Sequence, residues 1–371
     1  MMPKRRAVLL CIASAVLAAV LAGGSVLYYI YTGPLGRVYG IVNLVDQNFY
    51  KPVDRVKALE GAARGVVASV SDPYSVFMNK LEWENFNVRT SGAYSGIGIT
   101  IGVKDNRIQM AQPMKGTPAE EAGLLANDVI VKVDGKLIYT SDEAASLIRG
   151  PAGTKVILTI MRGTASFDVT LTRREIIIPA STHSMMEKNV GYIELVSFNE
   201  HSAAETSKAV QDLKNQGAKV IILDLRYNGG GYVEQCRLIA EMFVPKGVLT
   251  TLKYKSQPDE LYQTKGNGLG LPLFVLVNKG TASASEILAG AIQDRKSGTL
   301  IGDGTFGKGL VQGAFFLKDG SVVKVTTAEY LTPSGRAING AGLEPDVKVA
   351  GDEAQLAKAL ELANVAISGP K

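Results

Sequence analysis

Ser283, Lys308 and Gln312 fall within one stretch, Asn278 to Gln312, that contains no histidine. A serine hydroxyl is a poor nucleophile until a base takes its proton during attack, and without an imidazole the base here is the lysine. Lysine serves only when neutral. Lowering its pKa from about 10.4 to about 7 corresponds to ~4.6 kcal/mol of destabilised ammonium, within reach of apolar burial. Phe306, Leu310 and Val311 are the neighbours expected to supply it. Gln312 follows Lys308 by four residues, which returns it to the same face of a helix or a strand. Its amide oxygen can then hold the amine toward Ser283, whereas a carboxylate there would raise the lysine pKa.

The elements around these residues fit that chemistry. Leu273 to Val277 is an apolar strand that runs through a small-residue turn into a helical pattern. Such a turn presents a serine beside free backbone N–H groups, and the N–H of Ala284 is a donor for a developing oxyanion. Other readings compete residue by residue. Ser283-Ala284-Ser285-Glu286 also fits a helix capping box, with Ser285 open to the capping role if Ser283 reacts. Gly302 to Lys308 has the spacing of a phosphate-binding loop, but Gly309 lacks the hydroxyl that would hold magnesium. A histidine-based serine protease would have only His183 and His201 to draw on, both expected on the surface of the domain. No grouping of His, Cys and carboxylates has metal-ligand spacing, and no cofactor is expected.

The run Asn278 to Ile287, followed by Thr305-Phe306-Gly307-Lys308-Gly309 and Gln312, resembles the catalytic core of the C-terminal processing peptidases, tail-specific serine endopeptidases. The resemblance implies Ser283 as nucleophile, Lys308 as its partner and Gln312 as the orienting residue. Thr281 stands where that family has a serine. Asp224-Leu225-Arg226-Tyr227-Asn228-Gly229-Gly230-Gly231 resembles the family's oxyanion loop and implies that Gly230 donates a second N–H. An ordinary strand-to-helix turn is the plainer reading. Tyr330 to Arg336 and Gly342 to Asp346 extend the resemblance and look structural, shaping the end of the core beside the site.

Ser95-Gly96-Ile97-Gly98-Ile99, then Gly116 to Gly123 and Asn127 to Ile130, resemble a PDZ domain. A glycine-bearing loop exposes several N–H groups to one carboxylate while an open strand edge pairs with an extended peptide. These five residues are the expected readers of a protein C-terminus. Arg149 closes a helix expected over Glu143 to Arg149, either as a solvated charge or in contact with peptide or peptidase domain.

The chain of 371 residues is long enough for two or three domains with real cores. Its pattern divides into a basic tip and anchor (1–34), a helical arm (35–90), a mostly-β PDZ domain (91–175), an α/β peptidase core (176–350) and a C-terminal helical segment (351–371). The core strands are expected at Val190 to Phe198, Val220 to Leu225, Leu273 to Val277, Leu300 to Gly302 and Val322 to Tyr330. Helical runs near Ala203 to Asn215, Val233 to Phe243 and Ile287 to Asp294 alternate with them. The resemblance implies a crotonase-like or ClpP-like layering and an arm that contributes to a homodimer. An adaptor protein is a further partner open to it.

Ala7 to Tyr31 carries no charge, and about 20 apolar residues suffice to cross a bilayer. Behind Lys4, Arg5 and Arg6, this run is expected to be a single-pass anchor with everything after Thr32 extracytoplasmic. The net charge of +5 includes that basic cluster, which leaves little compositional support for nucleic-acid binding. Two cysteines, Cys11 and Cys236, give no disulfide framework. Activity against protein C-termini is the expected function; an inactive membrane-tethered PDZ scaffold is the alternative.

Overall fold

The computed structural model describes residues 32–369 apart from 106, together with 16–18, 21–25 and 28. The expected anchor therefore lies largely outside the described residues, as does Cys11. No helix among the described residues is long and apolar enough to cross a membrane. The chain forms two compact units, one comprising residues 1–81 and 312–326, the other 82–311 and 327–371.

In the first unit the helices Pro34–Asn48 and Arg55–Ala68 precede a short strand. Pro34 opens the first helix, where its missing N–H would have no partner anyway. Asp54 caps the second by accepting from the Val56 and Lys57 N–H groups at 3.0 and 3.2 Å. Of the first helix only Val42 is buried, so an open apolar groove of about 600 Å³ runs between the helices, lined by Val38, Ile41, Val45, Ala58 and Ala62. The turn Asp72 to Ser75 leads into the strand Val76–Met78, which pairs antiparallel with Val322 to Lys324.

The second unit holds two cores. Ala93–Gly96 pairs antiparallel with Arg174–Ile177, so the segment between them enters and leaves through one two-stranded ribbon. Inside lies a sheet ordered 101–104, 107–110, 129–133, 155–162, 165–172, closed over Met110, Leu124, Ile130, Val156 and Leu158. A strand was expected from Ile97 to Gly102; instead the chain bends between Gly96 and Ile101, because Gly98 adopts φ +79° with its α-carbon against Thr117. Asp128, 1% exposed, is held by Arg162 in a two-point ion pair of 2.7 Å contacts. Buried Arg173 donates to the carbonyls of Leu147 and Ile148 at 2.9 and 2.7 Å, closing the end of the helix Ser141–Ile148.

The other core is a six-stranded sheet ordered 181–186, 190–195, 220–224, 273–277, 299–302, 347–348, parallel from its second strand onward. Its central strands are wholly buried, which explains their unbroken apolar runs. Ile221, Leu223, Val275 and Val277 point to the helices Ser202–Asn215, Val233–Phe243 and Ala284–Asp294. Val220, Ile222, Phe274 and Leu276 point the other way, onto Ala359 and Ala363 of the helix Asp352–Ser368. A long hairpin, Pro245–Tyr254 with Glu260–Asn267, joins the strand ending at Leu331.

Candidate active site

Strands 220–224, 273–277 and 299–302 are adjacent and parallel, so the loops after their carboxyl ends, 225–231, 278–283 and 303–309, gather at one edge of the sheet. That is where open parallel sheets place ligands. The loops carry Gly230, Ser283 and Lys308 respectively.

Two asparagines lace the first pair of loops together. Asn278 Oδ1 accepts from the N–H of Tyr227 at 3.0 Å and of Gly280 at 2.9 Å. The Asn228 carbonyl accepts from Ala282 N–H at 3.0 Å and from Ser285 Oγ at 2.9 Å. Asn228 is fully buried and its amide donates to Leu195 O at 2.7 Å, so the turn has no slack. Thr281, the departure from the expected serine, is buried and donates to Leu225 O at 2.8 Å. Ser285 does not cap the helix; its hydroxyl is committed to Asn228.

Ser283 is the residue before the helix Ala284–Asp294 and adopts φ +59°, ψ −121°. A side-chain-bearing residue reaches such a backbone only when its surroundings enforce it, at a cost of order 1–3 kcal/mol. The Ala284 N–H, in the first helical turn, has no acceptor among the described residues. Gly230 lies directly opposite: a β-carbon there would come within 2.8 Å of Ala282 O, of Ala284 N and of Ser283 Cβ. Its own N–H, the one expected to serve the oxyanion, donates to Asn228 Oδ1 at 2.9 Å. Gly230 thus leaves open the space in front of Ala284 N–H, and its amide is engaged within its own turn.

Lys308 is half-buried in a loop fixed at its backbone. Glu286, fully buried, accepts from the N–H of Gly307 and Lys308 at 2.7 and 2.9 Å, from Thr305 Oγ1 at 2.6 Å and from the Ser283 N–H at 2.9 Å. The sequence presented this glutamate only as half of a capping box. Tyr330, 1% exposed, directs its hydroxyl to Ser283 O at 3.0 Å and to Lys308 O. Phe306, one of the neighbours expected to bury the lysine, is tied by its N–H to Thr281 O and is itself 57% exposed. Gln312 lies in the strand Leu310–Phe316, in the first unit, where its Nε2 donates to Thr326 Oγ1 at 3.3 Å. His183 contacts Asp212 at 3.4 Å and His201 precedes the helix Ser202–Asn215.

In the smaller core, Ile101–Lys104 ends its sheet. Ala111 N–H donates to Thr100 O at 2.8 Å, so Thr100 and Gly102 face the neighbouring strand and Ile99, Ile101 and Val103 turn their backbone groups to the open edge. The helix Ser141–Ile148 packs beside it. Of the five expected peptide readers, Gly98 and Ile99 adjoin this edge. Ser95 and Gly96 lie in the ribbon with Arg174 and Glu175, and the Ile97 side chain is buried in the core. Arg149 is not a solvated charge: it donates to Asn85 Oδ1 and lies 5.7 Å from the centre of the Tyr94 ring.

A parallel sheet that brings a strained serine and a lysine loop to one edge, with an edge-strand domain inserted through a ribbon, is the layout of a PDZ-bearing α/β peptidase. Family models agree segment by segment: peptidase family S41 matches residues 189–349, a PDZ domain 110–162, and the N-terminal domain of the activating protease CtpB 32–81. The carboxy-terminal processing protease CtpA of Bacillus subtilis (strain 168) is 39% identical over 309 residues, 82% of this chain. The chain spans 66% of that relative's own length. The solved photosystem II D1 C-terminal processing protease is 32% identical, with 87% of this chain and 88% of that one covered at a TM-score of 0.51. An S41 protease structure from Bacteroides fragilis NCTC 9343, 20% identical, covers 87% of this chain and 96% of that one at 0.52 and shares the fold. The chain belongs to peptidase family S41, among the C-terminal processing peptidases.

Proposed function

We propose that this protein is a serine endopeptidase that binds a substrate's free C-terminus through residues 91–175 and cleaves nearby in the core of residues 176–350. The observation that carries the reading is Ser283, held at a positive φ beside an unengaged Ala284 N–H. Ser283 Oγ attacks the scissile carbonyl carbon as Lys308 Nζ, entering neutral, takes the hydroxyl proton. The C–N bond breaks as that proton passes to the leaving amine, and water then hydrolyses the acyl-serine by the same route. Ala284 N–H is the donor facing the oxyanion. Gln312 is the residue assigned to orient the lysine, on its place four positions further along the chain.

The open edge at Ile99 to Val103 suits an added peptide strand whose terminal carboxylate lies at the Gly98 bend. Cleavage of a peptide with a free C-terminus is expected to weaken about tenfold or more in kcat/KM when that terminus is amidated, since a charge-assisted set of hydrogen bonds is lost. Equal rates on the free and amidated peptides would remove the C-terminus from the recognition step.

Residues 7–31 are assigned as a single-pass anchor and the arm as a homodimer contact, the latter supported by the apolar groove between its two helices. Both follow from one preparation of the full chain. It is expected to stay in the membrane pellet after alkaline extraction, and in detergent to sediment with the mass of a pair. Release into the supernatant, or a single-chain mass, would remove the respective assignment.

A further inference from the structure

We propose that Glu286 and Tyr330 are a matched pair of positioning residues that set the spacing of the Ser283–Lys308 dyad by holding both residues' backbones from two sides. The inference rests on the reading of those two residues as the reacting pair. Glu286 Oε2 takes the N–H of Ser283 and the N–H of Lys308, each at 2.9 Å. The Tyr330 hydroxyl meets the carbonyls of the same two residues. One side chain thus joins their amides and the other their carbonyls, and neither needs Ser283 Oγ or Lys308 Nζ to hold the loops together.

The chemistry of the donors specifies the residue types. Both carboxylate oxygens of Glu286 receive two donors, since Oε1 also accepts from Thr305 Oγ1 and Gly307 N–H at 2.6 and 2.7 Å. Thr305 Oγ1 itself accepts from Leu343 N–H at 2.7 Å, so its own proton is the one pointing at Glu286. Four donors fill a carboxylate's acceptor sites. This is how a fully buried acid is satisfied by hydrogen bonds. A glutamine of the same shape would turn an NH₂ group onto two of these donors. On the other side, Tyr330 is fixed by its own N–H to Gly309 O at 3.0 Å, next to the residue it holds. Phenylalanine would keep the ring and remove the hydroxyl that both carbonyls share.

A reacting pair is sensitive to small displacements, and an error of about 1 Å costs about 100-fold in rate. The test uses the full chain with Glu286→Gln and Tyr330→Phe, measuring kcat and KM on a peptide with a free C-terminus, thermal melting, and the rate at which a fluorophosphonate labels Ser283. The expected result is a kcat lower by about 100-fold for Glu286→Gln and about tenfold for Tyr330→Phe, with KM within about twofold and labelling slowed in step. Made in a Lys308→Ala chain, Tyr330→Phe is expected to leave the residual labelling rate unchanged, since the spacing it maintains no longer matters. Should Glu286→Gln fail to fold, Tyr330→Phe carries the test alone. Wild-type kcat in Tyr330→Phe, a loss confined to KM, or equal slowing of labelling with and without Lys308 would overturn the proposal while leaving the dyad standing. Wild-type cleavage by Lys308→Ala would overturn the dyad, and this proposal with it.

Discussion

With Ser283 replaced by alanine, peptide cleavage is expected to fall to the limit of detection, while the chain still folds and still binds the peptide's C-terminus. Loss of a nucleophile from a serine peptidase costs on the order of a millionfold in kcat, and partners that act as a unit cost about as much singly as together. Lys308→Ala is therefore expected to match Ser283→Ala. Neither change should disturb the scaffold. Glu286 and Tyr330 hold main-chain atoms that both variants keep. The measurement is hydrolysis of a labelled peptide alongside its binding by fluorescence anisotropy. Cleavage surviving in Ser283→Ala would move the nucleophile elsewhere. If the unaltered chain binds the peptide and never cuts it, the inactive scaffold becomes the better description.

Gly230→Ala carries the second large expectation, a fall in kcat/KM of about 100- to 1,000-fold, the range seen when one oxyanion donor is lost. The new methyl would sit 2.8 Å from Ala284 N and so occupy the space from which that N–H meets a tetrahedral intermediate. At φ +94° the residue also favours glycine, so about 1–3 kcal/mol of stability should go with it. Gly229 supplies the control. Nothing lies within 4 Å of its added methyl, and Gly229→Ala should behave like the parent chain in rate and melting temperature. Equal activity of the two variants would separate Gly230 from the site.

What was legible in the sequence is what depends on neighbours along the chain. Val220 to Asp224 and Leu273 to Val277 declared themselves as doubly buried strands by unbroken apolar runs, and Val233 to Phe243 as a helix by its period. Ser283 and Lys308 stood out through local motif. The hairpin Pro245–Tyr254 and Glu260–Asn267 gave no signal, since proline, glycines and two register shifts break its alternation. The strand Leu310–Phe316 was hidden likewise, with glycine on either side of its first residues. At the site, the missed residues are those whose partners are distant. Glu286 meets Thr305, Gly307 and Lys308 some 19 to 22 positions away, and Tyr330 meets Ser283 across 47, separations at which spacing carries no information. The local partner of Gly230 was equally invisible: its N–H donates to the side chain of an asparagine two residues earlier.

The backbone of Ser283 has a consequence for how such a chain ages under mutation. At φ +59° and ψ −121°, glycine is the residue that would relax there, and it has no hydroxyl. With Ser283 as the proposed nucleophile, the folding preference of that position and its proposed chemistry point in opposite directions, and a single substitution that eases the fold is expected to silence it. Selection acting only on durability would drift toward a quieter relative with an intact C-terminus reader and no cutting edge. On the proposed reading, the inactive scaffold is the downhill neighbour in sequence space, and only selection for bond cleavage would hold the chain one step above it.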